Sequence, residues 1–580
     1  MFLIYYIHSR SVPILHLLTL TALCGALYFP YLGRAPFFNK GEPREALVVQ
    51  EIVLRGTWLF PLKMGNEIPS KPPLFHWFGA FASLVWGRVT EATVRFPSAL
   101  FAILGVLLLY ALGRRLFDPK IALVGGVILA TSVAYQGHAV AARVDMTLAF
   151  FVTLTLVTFY SLYQGLVPGG LWTYAFYVLL GISTLAKGPV GLVLPGMVIC
   201  LFLGLRKRWD FLSRICFHKG AVIALMIGIS WYGVALVRGG EDFFDRQVMH
   251  ENLTRFFVYG EGGSGHQKPF YYYFPYLMLG GLPWSLFLPF AMVDWFKSRA
   301  FTRDHYLFLA LWAGVIFLFF SLSAGKRPAY LLPLYPPLSL LVAAWLGEAW
   351  EGARIRAIGF KFIAWLFFFM GLLAFGSLLV VVIGDSLPTL LSYFGMMLKA
   401  KDQAHLSLVR DVLGRAGVVV PAFLLLSALL WVSTARHLVA KRCWAATTRL
   451  ACLSVLTALV VQAVFIPAIA ESRSYKPFVL EVNRRLACGG TVSIYGEGWD
   501  YTSVVFYRGD RVAVLKDDDR SLRERLRGSG DYYIMAEAVW RKMAASGTFA
   551  FPPELRSRGT GPDGKDPIVL VRGKAPGENP

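Results

Sequence analysis

The stretch Asn39–Trp77, NKGEPREALVVQEIVLRGTWLFPLKMGNEIPSKPPLFHW, follows directly after the first long apolar run of the chain. It combines charged side chains of both signs with tryptophan, phenylalanine and proline. A membrane protein that places so dense a polar segment against one bilayer face usually handles a polar group there. We therefore predict that the other polar loops on the same side converge on this stretch, and that the remaining chain holds it in place.

The composition excludes a soluble protein. The chain has 580 residues, 56% of them hydrophobic, and a mean hydropathy of +0.56. Only 16% of the residues are charged, whereas globular domains carry about 25%. The formal net charge of +22 fits cytoplasmic loops rich in Lys and Arg and affinity for anionic lipid or phosphate. We therefore expect membrane lipids, and no nucleic acid, as partners.

Apolar runs of about 20 residues predict a polytopic α-helical membrane protein, because a helix of that length crosses a bilayer. About 13 spans are predicted, at residues 12–29, 93–111, 120–137, 147–165, 171–186, 189–205, 220–238, 272–291, 305–322, 330–347, 358–383, 414–434 and 450–469. The shorter stretch 74–86 predicts an interfacial or re-entrant helix.

Three regions follow from these runs. Residues 1–469 are predicted to form a transmembrane domain, within which residues 30–92 form an outer catalytic loop with interfacial helices. Residues 470–580 are predicted to form a small extracytoplasmic α/β domain, with strands at TVSIYG, SVVFYRGDRVAVL, DYYIMA and PIVLVRG, and helices at KPFVLEVNRRLA, RSLRERLRG and EAVWRKMAAS.

Lys and Arg are concentrated in the loops after the second, sixth, eighth, tenth and twelfth spans, which all fall on one side. The positive-inside rule makes that side cytoplasmic. The first span carries no clear cleavage site and is interpreted as retained. The chain is thus predicted to lie in the bacterial cytoplasmic (inner) membrane, with its N-terminus inside and its C-terminal domain outside.

Two candidates lie in the opening polar stretch. Glu42, with Arg44 beside it, is a carboxylate at the membrane surface that could take a proton from an attacking group; the alternative is a solvated loop acid. Lys71 precedes Pro72 and Pro73, which restrict the backbone and fix where the lysine points. Lysine is a natural phosphate ligand, and the alternative for Lys71 is snorkelling to the interface.

Charged residues also occur at the ends of predicted spans. Arg143 and Asp145 lie in AARVDM, and Lys187 lies in LAKGPVG. A charge held at membrane depth costs about 2.5–3.5 kcal/mol on insertion scales, which favours a functional role if these groups are buried. The alternative for Arg143 and Asp145 is a simple ion pair.

Two further outer loops contribute candidates. His266 lies in GHQKPFYYYFPY and is a candidate for binding the donor phosphate or substrate; a single histidine is a weak metal site because zinc needs three or four ligands. Lys326, Arg327 and Tyr330 lie in SAGKRPAYLLP. Topology signals do not explain cations on this side of the membrane, and the group suits a lipid phosphate.

These segments together resemble the integral-membrane glycosyltransferases of the type C fold, the group that contains protein O-mannosyltransferases and the aminoarabinose transferase of lipid A. The matching segments include GEPREA, GTWLFPLKMGNEIPSKPPLFHW, VRFPSALFAILGVLLLYALGRRLF, AARVDM, LAKGPVG and SLSAGKRPAYLLPLYP, and they occur in the family's order over residues 30–340.

The resemblance implies an inverting transferase that uses a polyprenyl-phosphate-linked sugar and a lipid, glycan or protein acceptor. It implies that Lys71 binds the donor phosphate, assisted by Arg44, Lys187 and the Lys326–Tyr330 loop, with Asp145 as a second acid of the site.

The chain departs from the family at the usual catalytic Asp, which is replaced by Gly41, so that Glu42 must substitute. Ser70 stands where the aminoarabinose transferase has a glutamate that helps to bind a metal, and the late histidine ligand is absent. A divalent metal is therefore not a firm expectation. Two alternative functions stay open: a lipid-linked-sugar flippase, and an inactive family member that acts as a binding subunit.

Overall fold

We describe the chain from a computed structural model. The structure describes residues 14–65, 67–254, 267–350, 357–382, 416–486, 491–509, 512–515, 530–545, 552–562, 564 and 567–573. His266 and the predicted helix RSLRERLRG lie outside these residues.

The first 473 residues are helical wherever the structure assigns regular elements, apart from short bridges. The α-helices in this part are α1 Ile14–Tyr28, α2 Glu42–Arg55, α3 Leu74–Val85, α4 Glu91–Leu116, α5 Pro119–Thr131, α6 Val133–Ala139, α7 Val144–Tyr163, α8 Leu171–Lys187, α9 Val190–Leu205, α10 Trp209–Cys216, α11 Gly220–Phe243, α12 Tyr273–Gly280, α13 Leu288–Lys297, α14 Asp304–Leu322, α15 Tyr335–Trp350, α16 Ala357–Val382, α17 Val419–Val439, α18 Cys443–Val460 and α19 Ile466–Arg473. Short 3-10 segments and π-helical turns connect or extend these helices. The 3-10 segments are Phe29–Tyr31, Phe270–Tyr272, Trp284–Phe287, Ala300–Thr302 and Pro328–Leu334, and the π-helical turns are Phe244–Thr254 and Val461–Phe465.

Within the described residues, nine helices are long and apolar enough to cross a membrane, or eleven if two bent pairs are each counted as one span. The bent pairs are α5 with α6, at 65°, and Phe270–Gly280 with Trp284–Lys297, at 112°. Each predicted span coincides with one of these helices or pairs, or with the shorter α8 and α9. The chain is a multi-pass, mainly helical membrane protein, as its composition predicts.

Close helix contacts depend on glycine. A Cβ on Gly113 of α4 would lie 2.6 Å from Cδ2 of Leu340 on α15, and a Cβ on Gly125 of α5 would lie 2.9 Å from the same atom. Lipid provides little hydrophobic drive for helices to associate, so close van der Waals packing through small residues holds them together.

The spans present two chemically different ends. At one end, the starts of α2, α4 and α7 meet the end of α8. At the other end, Tyr163 closes α7 and donates a hydrogen bond to Asp304, whose carboxylate also lies 2.7 Å from Nε of Arg206. The basic loops after α9 and α13 therefore meet at the end of the bundle opposite the start of α7.

The C-terminal residues form a small α/β domain. Its elements are α20 Lys476–Arg485, β1 Val492–Tyr495, α21 Thr502–Arg508, β2 Ala513–Leu515, β3 Tyr532–Ala536, α22 Glu537–Ala545, β4 Leu555–Arg556 and β5 Ile568–Arg572. The sheet order is β2-β1-β3-β5-β4. β1 pairs in parallel with β2 and β3, whereas β5 is antiparallel to β3 and β4.

One predicted strand is wrong. The valine-rich start of SVVFYRGDRVAVL forms α21, and only Ala513–Leu515 is a strand. Oδ1 of Asp500 accepts a hydrogen bond from the Thr502 N–H and so satisfies a free donor of the first turn. Gly509, at φ +94°, lets the chain leave the helix. The Asp500 hydrogen bond at the start of the helix and Gly509 at its end outweigh the β propensity of the valines.

The α/β domain packs on α2 and α3 rather than standing apart from the helices. Phe37, Val49 and Phe75 belong to the same buried cluster as Val504 and Phe506 of α21. The opposite face of the sheet buries a separate small cluster that includes Tyr495 and Met535. The end of the bundle that carries the polar stretch is therefore the end that the domain covers.

Candidate active site

Glu42 is the first residue of α2, and its carboxylate is buried with only 2% exposure. Arg95, on the second turn of α4, binds it in a fork: Nε donates to Oε1 at 2.7 Å and Nη2 to Oε2 at 3.1 Å. The Ala142 N–H donates to Oε1 at 3.0 Å, and Nδ2 of Asn39 donates to Oε2 at 2.7 Å. A carboxylate offers about four acceptor positions, so the structure fills those of Glu42.

These contacts keep Glu42 ionised. Burial raises the pKa of Glu42, but the charge and hydrogen bonds of Arg95, the Ala142 N–H and the charge of Arg143 lower it, and the net pKa lies below its usual value. The arrangement suits a carboxylate that holds three segments of the chain together. It leaves no acceptor position for a reacting hydroxyl.

Arg143 connects Glu42 to the next cluster. Its Nη2 donates to Oδ1 of Asn39 at 3.4 Å, and the same oxygen accepts from the Gly41 and Glu42 N–H groups. The guanidinium lies directly over Gly41, and a Cβ on that glycine would be 2.0 Å from Cζ of Arg143. The charge of Arg143 acts on both Glu42 and Asp145.

Asp145, Lys187 and Tyr330 form the second cluster. Asp145 is in the first turn of α7 and is 8% exposed; its Oδ1 accepts a hydrogen bond from Nζ of Lys187. The same ammonium group lies 4.3 Å from the centroid of the Tyr330 ring, within the range of a cation–π contact. In the part of the chain that the structure describes, Oδ2 of Asp145 accepts no hydrogen bond.

The sequence LAKGPVG explains how Lys187 reaches this position. Gly188, at φ +88°, ends α8 directly after the lysine, and Pro189 precedes α9. A Cβ on Gly191 would lie 2.0 Å from the Ser183 carbonyl oxygen, so only glycine allows the two helices to turn this tightly. The lysine is thereby fixed at a helix C-terminus, where a cation is favourable.

The loop after α14 borders the cluster. Lys326 is 2% exposed, and its Nζ donates a hydrogen bond to the Ser323 carbonyl oxygen. Burial lowers the pKa of Lys326. The Arg327 N–H donates to the hydroxyl of the fully buried Tyr273 at 3.1 Å. Cations are thus held inside the protein at this end of the bundle.

Two further candidates, Lys71 and Arg44, lie near the starts of α3 and α2. Lys71 is half-buried in the turn before α3, a helix that contacts α2, α4, α7 and α8. Nη2 of Arg44 lies 2.9 Å from Oδ2 of Asp500 and so joins α2 to the C-terminal domain. His266 lies outside the described residues.

Three partners were not predicted from the sequence. They are Arg95, Asn39 and the buried His76, whose Nε2 lies 2.6 Å from Oε2 of Glu45. Nδ1 of His76 has no hydrogen-bond partner among the described residues. One signal was available, because Arg95 is a cation near the start of a mainly apolar helix and a buried charge needs a counter-ion.

Within the described residues, the side chains present do not fit a divalent metal. Ser70 replaces the expected glutamate ligand, and the described ranges contain no group of three His, Cys, Asp or Glu side chains arranged to hold an ion. We derive no step through a metal.

Comparison with known proteins concerns the sequence of the helical part and the overall fold. The profile of the family described as dolichyl-phosphate-mannose-protein mannosyltransferase matches residues 70–232. An undecaprenyl phosphate-α-4-amino-4-deoxy-L-arabinose arabinosyl transferase of Edwardsiella ictaluri is 30% identical over 349 residues, which cover 58% of this chain and 61% of the relative. A second such transferase, of Pseudomonas fluorescens, is 31% identical over 338 residues, covering 57% of this chain and 60% of the relative.

The crystal structure of ArnT from Cupriavidus metallidurans bound to undecaprenyl phosphate superimposes with a TM-score of 0.74. The superposition covers 98% of this chain and 100% of that one, at 20% sequence identity. The chain therefore has the same fold as that structure. The family profile covers Lys71, Asp145 and Lys187, so these three candidates lie in the part of the chain that resembles that family.

Proposed function

We propose that the chain is an inverting membrane glycosyltransferase that moves a sugar from a polyprenyl-phosphate donor to a lipid acceptor, with glycan or protein acceptors as alternatives. We place the reaction on the outer face of the bacterial inner membrane, with the N-terminus inside and the C-terminal domain outside. The observation that supports this function best is the buried contact of Asp145, Lys187 and Tyr330 beside Arg143.

The cations suit the leaving group. As the sugar departs, charge develops on the phosphate of the polyprenyl carrier, and preorganised cations in a water-poor site stabilise it. Arg143, Lys187 and Lys326 are held in place by the surrounding fold, and we assign them, with Lys71, Arg327 and Tyr330, to the phosphate. Arg44 contacts the C-terminal domain and is the weakest of the assignments to the donor.

We assign the acceptor to Asp145. An acceptor hydroxyl attacks the anomeric carbon opposite the phosphate, the bond from that carbon to the phosphate oxygen breaks, and polyprenyl phosphate leaves. The hydroxyl proton passes to Oδ2 of Asp145, which has an open acceptor position, whereas Glu42 has none. Glu42 then acts as a positioning residue for Arg143 and Asn39.

The flippase alternative receives less support. Transporters bind their substrates near the bilayer midplane, but the charged residues here lie at the ends of α2, α7 and α8. The alternative of an inactive binding subunit makes a different prediction from ours in an activity assay.

The test uses the purified full chain in nanodiscs with undecaprenyl phosphate-linked sugars and lipid extracts, and measures release of undecaprenyl phosphate. We expect turnover that Asp145→Asn and Lys71→Ala each reduce by about 100-fold or more. Lys441→Gln, a surface change in the short turn between α17 and α18, is the matched control and should keep full turnover. Absence of turnover with every donor, or full turnover in both site variants, would reject the proposal. Mass spectrometry of envelope lipids from a deletion strain identifies the sugar and the acceptor.

A further inference from the structure

We propose that the C-terminal α/β domain is a positioning element of the active site, and that it acts through the hydroxyl of Tyr507 on the loop that carries Glu42. The inference rests on the proposed function for its consequence in turnover, but its structural part can be tested without turnover.

Tyr507 contacts the loop before Glu42 through one buried backbone group, the Phe37 N–H. The Phe37 N–H donates to Oη of Tyr507 at 2.8 Å, and the Tyr507 hydroxyl in turn donates to Oε1 of Glu91 at 2.9 Å. Nζ of Lys476 lies 2.6 Å from the same glutamate oxygen and 5.3 Å from the centroid of the Tyr507 ring. Phe37 is 1% exposed. If the Tyr507 hydroxyl is removed, the Phe37 N–H therefore cannot form a replacement hydrogen bond with bulk water.

Phe37 is also in contact with the residue that binds Glu42. Cζ of Arg95 lies 5.1 Å from the centroid of the Phe37 ring, while Phe506 packs on the ring at a centroid distance of 5.2 Å. Nη1 of Arg95 donates to the carbonyl oxygens of Leu32 and Ala35 at 2.8 and 2.6 Å. The guanidinium therefore fixes the loop before Glu42 as well as the Glu42 carboxylate.

The first two turns of α4 join these contacts. Glu91 and Arg95 are four residues apart and so lie on one face of the helix. Glu91 binds the α/β domain, Arg95 binds Glu42, and Phe37 lies between the two partners. Loss of the contacts that Tyr507 and Lys476 make with Glu91 and Phe37 thus affects Glu42 indirectly. Among the described residues, none of the hydrogen bonds to the Glu42 carboxylate comes from the α/β domain.

The protonation of Tyr507 supports this direction of the hydrogen bonds. Burial and the charge of Glu91 raise the pKa of Tyr507 well above its ordinary value, although the Phe37 N–H opposes them. The hydroxyl therefore stays protonated at all physiological pH values, donating to Glu91 and accepting from Phe37.

The experiment compares two Tyr→Phe variants by hydrogen–deuterium exchange of the full chain in nanodiscs. Tyr507→Phe removes the hydroxyl at the interface. Tyr495→Phe, the matched control, removes a buried hydroxyl that donates to Glu497 within the α/β domain, on the face of the sheet away from the helices. We expect amides of residues 32–42 to exchange about tenfold faster in Tyr507→Phe and unchanged in Tyr495→Phe. Equal exchange in the two variants would overturn the proposal.

Lys476→Met separates positioning from docking. It removes the ion pair with Glu91 but leaves the Tyr507 hydroxyl to accept from Phe37, so we expect exchange of residues 32–42 close to that of the unmodified chain. Acceleration equal to that in Tyr507→Phe would show that docking in general, and not the Phe37 contact, controls the loop, and would contradict the inference. Should Tyr507→Phe yield no folded protein, Phe37→Pro, which removes the N–H that donates to Tyr507, tests the same step from the loop side and should also accelerate exchange.

Turnover gives an independent readout. If the chain transfers sugar, Tyr507→Phe should lower kcat about tenfold with little change in KM for the donor, and Tyr495→Phe should change neither. Faster exchange without any turnover in the unmodified chain would reject the proposed function while supporting the positioning role. Normal exchange with normal kcat would reject the positioning role alone.

Discussion

The guanidinium of Arg143 occupies the space in which a side chain on Gly41 would begin, with Cζ 2.0 Å from an ideal Cβ position. Gly41 is the position at which related enzymes carry an aspartate, according to the resemblance noted from the sequence. The missing carboxylate therefore makes room for a cation beside Asn39 and Glu42.

Gly41→Ala should displace Arg143 without unfolding the chain. Gly41 has ordinary helical dihedral angles, φ −90° and ψ −41°, and the atoms it would meet end a flexible side chain. We expect affinity for undecaprenyl phosphate to fall by about tenfold, because a hydrogen bond to a charged group contributes about 1.5–3 kcal/mol. Gly137→Ala, which adds a methyl group where nothing lies within 4 Å, is the control in a binding titration. Equal affinity in both variants would show that Arg143 does not bind the phosphate.

Glu42→Gln should destabilise the fold, and not only the reaction. The substitution leaves the buried Arg95 without its counter-ion, a change that costs about 3–5 kcal/mol. Thermal unfolding in detergent measures the difference, and Glu42→Gln combined with Arg95→Met should recover part of the lost stability. An unchanged melting temperature in Glu42→Gln would contradict the assigned structural role.

Acid should weaken the protein through Glu42. Because its folded-state pKa is lowered, the carboxylate contributes stability that is fully present above the unfolded pKa of about 4.3 and is lost as the pH falls through the lower folded value. We expect a plateau near neutral pH and a steep loss of stability below about pH 4.3. This acid limb should be shallower in the double variant Glu42→Gln with Arg95→Met. An identical limb in both proteins would assign the acid sensitivity to other groups.

Lys326 should give phosphate binding an alkaline limit. Burial lowers its pKa, so the charged form is lost at lower pH than for an exposed lysine, whose pKa is about 10.4. Binding of undecaprenyl phosphate should weaken as the pH rises through the folded pKa of Lys326. Lys326→Arg should move this loss to higher pH, since arginine stays charged above pH 12. A titration with the same alkaline limb in both forms would exclude Lys326 from the phosphate site.

The sequence predicts the helices well because apolar runs of span length carry the signal directly. It also places Asp145 and Lys187 correctly at the ends of their helices, since AARVDM and LAKGPVG interrupt such runs with charge and glycine. It cannot show that Oε1 of Glu42 meets Arg95 and the Ala142 N–H, because partners separated by 53 and 100 positions are chosen by tertiary packing. Local sequence patterns indicate the periodicity and the ends of single helices, but they do not indicate which helix ends are in contact.

Two further results illustrate this limit. The family resemblance assigns Arg44 to the donor, whereas its guanidinium reaches Asp500 in the C-terminal domain. The valines at the start of SVVFYRGDRVAVL predict a strand, but the helix-terminal residues Asp500 and Gly509 favour a helix at Thr502–Arg508. In both cases a contact or a cap outside the local pattern decides the outcome.

The hydrogen bond between Phe37 and Tyr507 joins residues that are 470 positions apart. Ribosomes make the N-terminal part first, so the Glu42 loop enters the membrane long before its partner has been synthesised. The loop therefore reaches its final geometry only after the C-terminal α/β domain has been synthesised and folded. Biosynthesis thus delays the maturation of this pocket until nearly the whole polypeptide has been made.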